Sequence, residues 1–354
     1  MGERAPRRYA ILAPGAFATR GAKTAHGVIA YASDVTVAVI DAEHAGRSVR
    51  EVVPYLDSDA PIVASLAEAL PFNPNALLVG VAPPGGALPP AWRVSIEQAI
   101  GAGLEIVSGL HQFFADDAAF AAGAKRSGSR IWDVRTPPEP RLFTGEANGV
   151  RARVVLTVGS DCAVGKMTAA LELTRAARER GEDARFLATG QTGIAIAGSG
   201  VPVDRTICDF TSGAVEELVL RSGDADVLLV EGQGAINHPA FAAVTLGLLY
   251  GAAPDALVLV HLVGREHMEG FGTPLLPLGR LIELYEALCA AVKPAPVAGI
   301  ALNTFGLEAG TSRLAIERTA AETGLPCDDV VRNGPHALYN AMAPRFAAKT
   351  KPLG

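Results

Sequence analysis

Apolar residues along this chain come in short unbroken runs, not in alternation. In the first part these runs are RYAIL, TVAVID, PIVAS, ALLVGVA, LEIVSGL and SRIWDV, bounded by Gly, Pro or Asp. A strand that is apolar at successive positions is covered on both faces, as in a parallel sheet between helices. RVSIEQAIGAG reads as a helix between two of these strands. The succession predicts a Rossmann-like α/β domain. It holds no G-x-G-x-x-G turn, so the pattern does not specify a dinucleotide.

The segment Val134 to Gly149 breaks the rhythm with three prolines and two glycines and reads as a linker. A second α/β series follows. RARVVLTV, ARFLA, DVLLVE, ALVLVHL and PVAGIAL predict strands. MTAALELTRAARERG, LGRLIELYEALCAAV and TSRLAIERTAAETG predict helices, two of them ending in a glycine suited to a left-handed cap. The expected organisation is a Rossmann-like domain over residues 1–140 and a P-loop NTPase-like α/β domain over residues 141–354.

Composition narrows the function. The chain has 354 residues, a formal net charge of −6 and no basic block, which argues against nucleic acid as a partner. No apolar run approaches the roughly 18 residues of a membrane span. The apolar run near the start is too short for a signal peptide. The four cysteines are far apart with no C-x-x-C pair, which argues against a zinc site and fits a reducing cytoplasm. An alanine-rich chain with few charges suits a homo-oligomer.

The chemistry concentrates in one stretch, VGSDCAVGKMTAALEL. A strand leads into Gly159, Ser160, Asp161, Cys162, Ala163, Val164, Gly165 and Lys166, and a helix follows. Glycines let backbone N–H groups converge on an anion, the helix adds its positive end, and lysine adds a mobile cation. The alternative is a strand–helix turn with an incidental lysine. The common phosphate loop has four residues between its glycines and a Ser or Thr after lysine, whose hydroxyl ligates Mg²⁺. Here five intervene and Met167 follows. Thr168 lies a further ~100° round the helix. Phosphate binding is expected; magnesium-dependent ATP hydrolysis is less secure.

The longer loop resembles that of dethiobiotin synthetase and its relatives, as do Glu231-Gly232-Gln233-Gly234 after a strand and Gly299-Ile300-Ala301-Leu302-Asn303. That resemblance implies that Asn303 pairs with an adenine, a base common to ATP and coenzyme A. A narrower set covers nearly the whole chain. It comprises Lys23-Thr24-Ala25-His26-Gly27, Gly190-Gln191-Thr192-Gly193, Val201 to Asp204, Cys208-Asp209-Phe210, His238-Pro239, His261 and Gly264-Arg265. This set resembles a family catalogued as a domain of unknown function, with a Rossmann-like N-terminal and a P-loop C-terminal domain. Its characterised branch resembles D-glutamate N-acetyltransferase.

The resemblance implies transfer of an acetyl group from acetyl-CoA to the amine of a small acidic amino acid. The loop would then hold phosphates of coenzyme A, and a missing magnesium hydroxyl would cost nothing. Such chemistry requires a base and donors to an oxyanion. The candidate bases are Glu231 at a strand end, Asp161 in the loop, and His238. Each has a plainer reading, as a structural acid, a turn cap and a loop histidine. Arg205 and Arg265 are candidate anchors for substrate carboxylates. Lys23, His26, Gln191 and Thr192 are candidate substrate contacts, or turn residues. Cys162 reads as a nucleophile at a helix start or, more simply, as a small loop filler. His261 reads as a core histidine. The alternative function is an ATP/Mg²⁺-dependent ligase or kinase with Glu231 and Thr168 on the metal. A non-catalytic nucleotide sensor is a third reading.

Overall fold

The computed structural model of the chain describes residues 6–346. It separates into two compact units. One runs to Thr136 and also takes in Gln191–Pro202; the other comprises Pro137–Gly190 and the chain from Val203 onward.

In the first unit the strands are β1 (Arg8–Leu12), β2 (Val35–Ile40), β3 (Ile62–Val63), β4 (Ala76–Val79), β5 (Glu105–Ser108) and β6 (Ile131–Asp133). They form one sheet in the order β3-β2-β1-β4-β5-β6, with every ladder parallel. This is the doubly wound order, reversing direction between β1 and β4. Helices α1 (Lys23–Tyr31), α2 (Val49–Val52), α3 (Leu66–Ala69), α4 (Arg93–Gly101) and α5 (Ala118–Ser127) connect the strands. Leu12, Ile40, Leu77 and Ile106 of the sheet pack with Ile96, Ile100 and Phe120 of α4 and α5 in one buried cluster.

The second unit carries β7 (Arg153–Gly159), β8 (Ala184–Leu187), β9 (Val227–Val230), β10 (Ala256–Leu262), β11 (Val297–Asn303) and β12 (Cys327–Asp328). Their order is β12-β11-β10-β7-β9-β8, again wholly parallel. The strand β7 lies between β9 and β10. Its C-terminal end is therefore the point where the winding reverses, the usual ligand position in such sheets. Around the sheet run α6 (Lys166–Glu179), α8 (Cys208–Leu220), α9 (Ala242–Ala252), α10 (Leu278–Ala290), α11 (Ala309–Thr323) and α12 (His336–Met342). The glycine stops hold: Gly181 and Gly324, following α6 and α11, have φ of 85° and 68°.

One helix departs from this division. The helix α7 (Gln191–Ala197) follows β8, yet it packs in the first unit beside α1. Thr24 and Thr192 share a hydroxyl–hydroxyl hydrogen bond of 2.9 Å there. Among the described residues no helix is long and apolar enough to cross a membrane.

The linker is tied down by one buried acid. Glu216 of α8 is fully buried and accepts from Thr144 N (2.7 Å), Thr144 Oγ1 (3.0 Å) and Ala147 N (3.3 Å). Burial pushes its carboxyl up, but these bonds outweigh burial and hold it below its ordinary value. Glu216→Gln is expected to cost about 1–3 kcal/mol, because a charged acceptor of several bonds is lost. A depressed acid stabilises the fold above its unfolded pKa, and that share fades as pH falls through the folded value. Urea melts of both proteins at pH 7 and pH 3 should therefore converge at the lower pH.

Candidate phosphate-loop site

The loop after β7 is shaped by close backbone approach. A Cβ on Gly159 would lie 2.6 Å from the Asp161 carbonyl and 2.8 Å from Lys166 Nζ, so only glycine fits. Ala163 and Gly165 turn through φ of 52° and 108° before α6 begins. The α6 N-terminus, with unpaired N–H groups, then faces the loop. Lys166 is buried, and its ammonium donates to the Asp161 carbonyl at 2.9 Å. Burial pulls its pKa from 10.5 down to about 8. The glycine turn, the start of α6 and the buried Lys166 cation together are groups that suit phosphate oxygens. Met167 and Thr168 are half-buried in the first turn of α6.

The loop is braced on every side. Tyr285 of α10 donates to the Gly159 carbonyl at 2.8 Å and accepts from Ile236 N at 3.1 Å. Ser160 Oγ meets His261 Nδ1 at 2.9 Å, and burial, assisted by Arg265, lowers the pKa of that histidine. Asn303 donates to the Val164 carbonyl at 3.1 Å and accepts from Phe305 N at 3.0 Å, so its amide is fastened to the loop. Burial raises the Cys162 thiol despite the nearby Lys166 ammonium, which suits the filler reading better than a thiolate nucleophile.

Asp161 is fully buried beneath a strap that follows β10. Its Oδ2 accepts from Arg265 Nη1 (2.9 Å) and Glu269 N (2.7 Å). Arg265 also donates to the Cys162 carbonyl at 2.8 Å and pairs with Glu269. The strap folds back on itself as a small hairpin, with a bridge between His267 and Pro274. His238 lies against it, 4.0 Å from Asp161 Oδ1 and packed between Phe241 and Phe271. Ala240 N donates to His238 Nδ1 at 3.2 Å, which places the ring proton on Nε2, where it reaches the Glu269 carbonyl at 3.1 Å.

Asp161, Cys162 and His238 offer ligand atoms within 4.8 Å of one another. This arrangement does not suit a metal. The His238 nitrogen that faces the cluster carries a proton, and the Arg265 guanidinium already neutralises the carboxylate.

Glu231, just beyond β9, is buried. Its Oε2 accepts from Thr189 N (2.9 Å) and Gly190 N (3.1 Å), and Oε1 accepts from Gln233 Nε2 (3.0 Å). It fixes the turn after β8. Arg205 lies in the second unit, in the segment before α8. The other four substrate candidates belong to the first unit. Lys23 and His26 stand on α1; Gln191 and Thr192 open α7. His26 bonds the Phe17 carbonyl at 2.6 Å and accepts from Tyr55 OH at 2.8 Å, and burial lowers its pKa.

Sequence reasoning missed Tyr285, Asn237 and Glu269. Tyr285 lies in a predicted helix with nothing to distinguish it from core. Asn237 precedes the quoted His238, and it donates to the Ser160 carbonyl at 3.4 Å. Beside the loop a groove of about 640 Å³ is lined by His261, Val263, Arg265, Leu276, Leu314 and Arg318, among others.

Residues 141–339 match the family described as "Domain of unknown function (DUF1611_C) P-loop domain", and residues 42–137 its N-terminal counterpart, "Domain of unknown function (DUF1611_N) Rossmann-like domain". The chain is 38% identical over 272 residues to the D-glutamate N-acetyltransferase of Pseudoalteromonas sp, covering 76% of this chain and 82% of that one. It is 37% identical over 284 residues to the D-glutamate N-acetyltransferase of Tritonibacter scottomollicae, covering 79% and 84%. A crystal structure of a DUF1611 family protein from Anabaena variabilis is similar at a TM-score of 0.91 and 42% identity, over 96% of this chain and 99% of that one.

Proposed function

The chain belongs to the DUF1611 family, and from that premise we propose that it is an N-acetyltransferase that moves an acetyl group from acetyl-CoA to the amine of D-glutamate. The observation that carries this reading is the loop itself. It offers phosphate oxygens a glycine cradle and a buried lysine, while Met167 stands where a magnesium-binding hydroxyl would be needed. Acetyl transfer breaks no phosphate bond and asks no metal of this position. The phosphates of coenzyme A belong in the cradle. The adjoining groove, with apolar walls at Val263, Leu276 and Leu314, suits the donor's less polar arm.

The ATP–magnesium alternative would place Glu231 and Thr168 on the metal. Glu231 already accepts from Thr189, Gly190 and Gln233, so it would have to give up part of that set. The cysteines, all free, suit a reducing cytoplasm. Calorimetry with acetyl-CoA, and with ATP in the presence and absence of Mg²⁺, separates the readings. The expected result is acetyl-CoA binding that ignores Mg²⁺, with mass spectrometry showing N-acetyl-D-glutamate as product. Tight ATP binding that requires Mg²⁺, without acetyl-CoA binding, would overturn the proposal. Turnover with either donor would dispose of a non-catalytic sensor.

A further inference from the structure

We infer that His261 recognises the arm of coenzyme A where it leaves the phosphates, by a hydrogen bond from Nε2 to the first hydroxyl or amide oxygen of that arm. This rests on the acetyl-transfer reading and adds to it the residue that tells an acyl-CoA from a plain adenine nucleotide.

His261 stands near the end of β10, bonded to the phosphate loop on one side and lining the groove on the other. Its Nδ1 lies 2.9 Å from Ser160 Oγ. The Ser160 hydroxyl is buried and has no other hydrogen-bond partner among the described residues, so it donates to Nδ1. The ring proton therefore sits on Nε2. Burial, assisted by Arg265, lowers the histidine's pKa, which keeps the ring neutral at pH 7. Nε2 bonds to no group among the described residues, yet it is not sealed from solvent as Asp161 Oδ1 and Asn237 Oδ1 are. The groove of about 640 Å³ is the space on which it opens.

The rest of the wall narrows the ligand. Val263, Leu276 and Leu314 supply apolar surface. The Arg265 guanidinium is spent on Asp161, the Cys162 carbonyl and Glu269, and Arg318 is paired with Glu322. A ligand leaving the loop thus meets apolar wall and, at the loop end, a neutral N–H donor. A further phosphate or carboxylate there would call for an uncommitted cation. A neutral oxygen on an apolar chain matches instead. In coenzyme A the diphosphate is followed by a carbon carrying two methyl groups, then a hydroxyl, then an amide. ADP and ATP carry no such chain. Ser160 belongs to the loop that takes the phosphates, so a ring held by its hydroxyl meets the part of the arm nearest them, away from the thioester. His261 is on this reasoning a specificity residue and not the base of the transfer.

Calorimetry on the full chain tests this with two ligands, acetyl-CoA and 3′-phosphoadenosine 5′-diphosphate, which is coenzyme A without its arm. The wild-type protein should bind acetyl-CoA more tightly than the armless nucleotide. His261→Asn keeps an acceptor for the Ser160 hydroxyl but is too short to present a donor where Nε2 stands. It should weaken acetyl-CoA about 3- to 10-fold, the effect of losing one neutral hydrogen bond, and leave the armless nucleotide unchanged. His261→Gln carries an N–H to the reach of Nε2 and should recover part of the loss. If His261→Asn leaves acetyl-CoA affinity unmoved, or weakens both ligands in parallel, or if the wild-type protein binds the two equally, recognition of the arm by His261 is overturned while acetyl transfer stands. If the wild-type protein binds neither ligand, the acetyl-CoA reading fails, and recognition of the arm fails with it.

Discussion

Lys166→Met is expected to make the ligand-free protein more stable while abolishing its grip on phosphate. The ammonium is buried, and burial pulls its pKa from 10.5 to about 8. A lysine whose folded pKa lies below its unfolded value penalises the fold wherever the unfolded chain holds more protons. The penalty is full below about 8 and disappears as pH rises toward 10.5. It amounts to about 3 kcal/mol at pH 7, offset in part by the bond from Nζ to the Asp161 carbonyl. Methionine fills similar space without charge. Urea melts should show the variant more stable by about 1–3 kcal/mol at pH 7, with the gap closing at pH 10. Calorimetry should show acetyl-CoA affinity down at least about 100-fold, since a charge-assisted contact is lost. Wild-type affinity should itself weaken as pH rises past the lysine's pKa. Equal stability and equal binding would remove the lysine from the site.

Gly232→Ala should be the most damaging single methyl group in the second unit. A Cβ at this position would lie 1.8 Å from the Thr157 carbonyl oxygen and 3.1 Å from Lys166 Cδ. Neither the central strand β7 nor the buried lysine can retreat cheaply, because Gly232 N is also held by Thr157 Oγ1 at 2.9 Å. The clash is purely steric; this glycine is not in the left-handed region. The expected cost is about 3–5 kcal/mol. Gly310→Ala in α11 is the matching control. A Cβ there meets nothing within 4 Å, and replacing a helical glycine should gain up to about 1 kcal/mol. Thermal melts of the two variants should move in opposite directions.

Strands β1 to β11 were legible because each lies in a largely apolar contiguous run, and a run needs no partner to be seen; β12, only Cys327 and Asp328, lies in no such run and escaped notice. The phosphate loop was legible for the same reason, since strand, glycines, lysine and helix follow one another. Helix α9, AAVTLGLLYGA, escaped notice because it is apolar on every side and shows no helical period. Helix α7 escaped because seven residues are too few to show one. The grip on Asp161 was illegible for a different reason. Arg265 and Glu269 lie 104 and 108 positions away along the chain, and only the sheet order brings the end of β10 beside β7. Arg265 read as an anchor for a substrate carboxylate; the structure gives its guanidinium to Asp161, Cys162 and Glu269.

The excursion of residues 191–202 is closed at its base, where Val203 N donates to the Thr189 carbonyl at 3.1 Å. Its consequence is genetic. The codons for the first unit are not contiguous; they flank those for β7, α6 and β8. A gene cut at codon 137 delivers a first unit stripped of α7, whose Thr192 completes a buried hydrogen bond with Thr24. The complementary fragment carries an apolar helix with nowhere to bury Ile194 and Ala195. Exchange of one domain for a relative's must therefore transplant two stretches of DNA, and a simple fusion or fission at the linker leaves both products damaged.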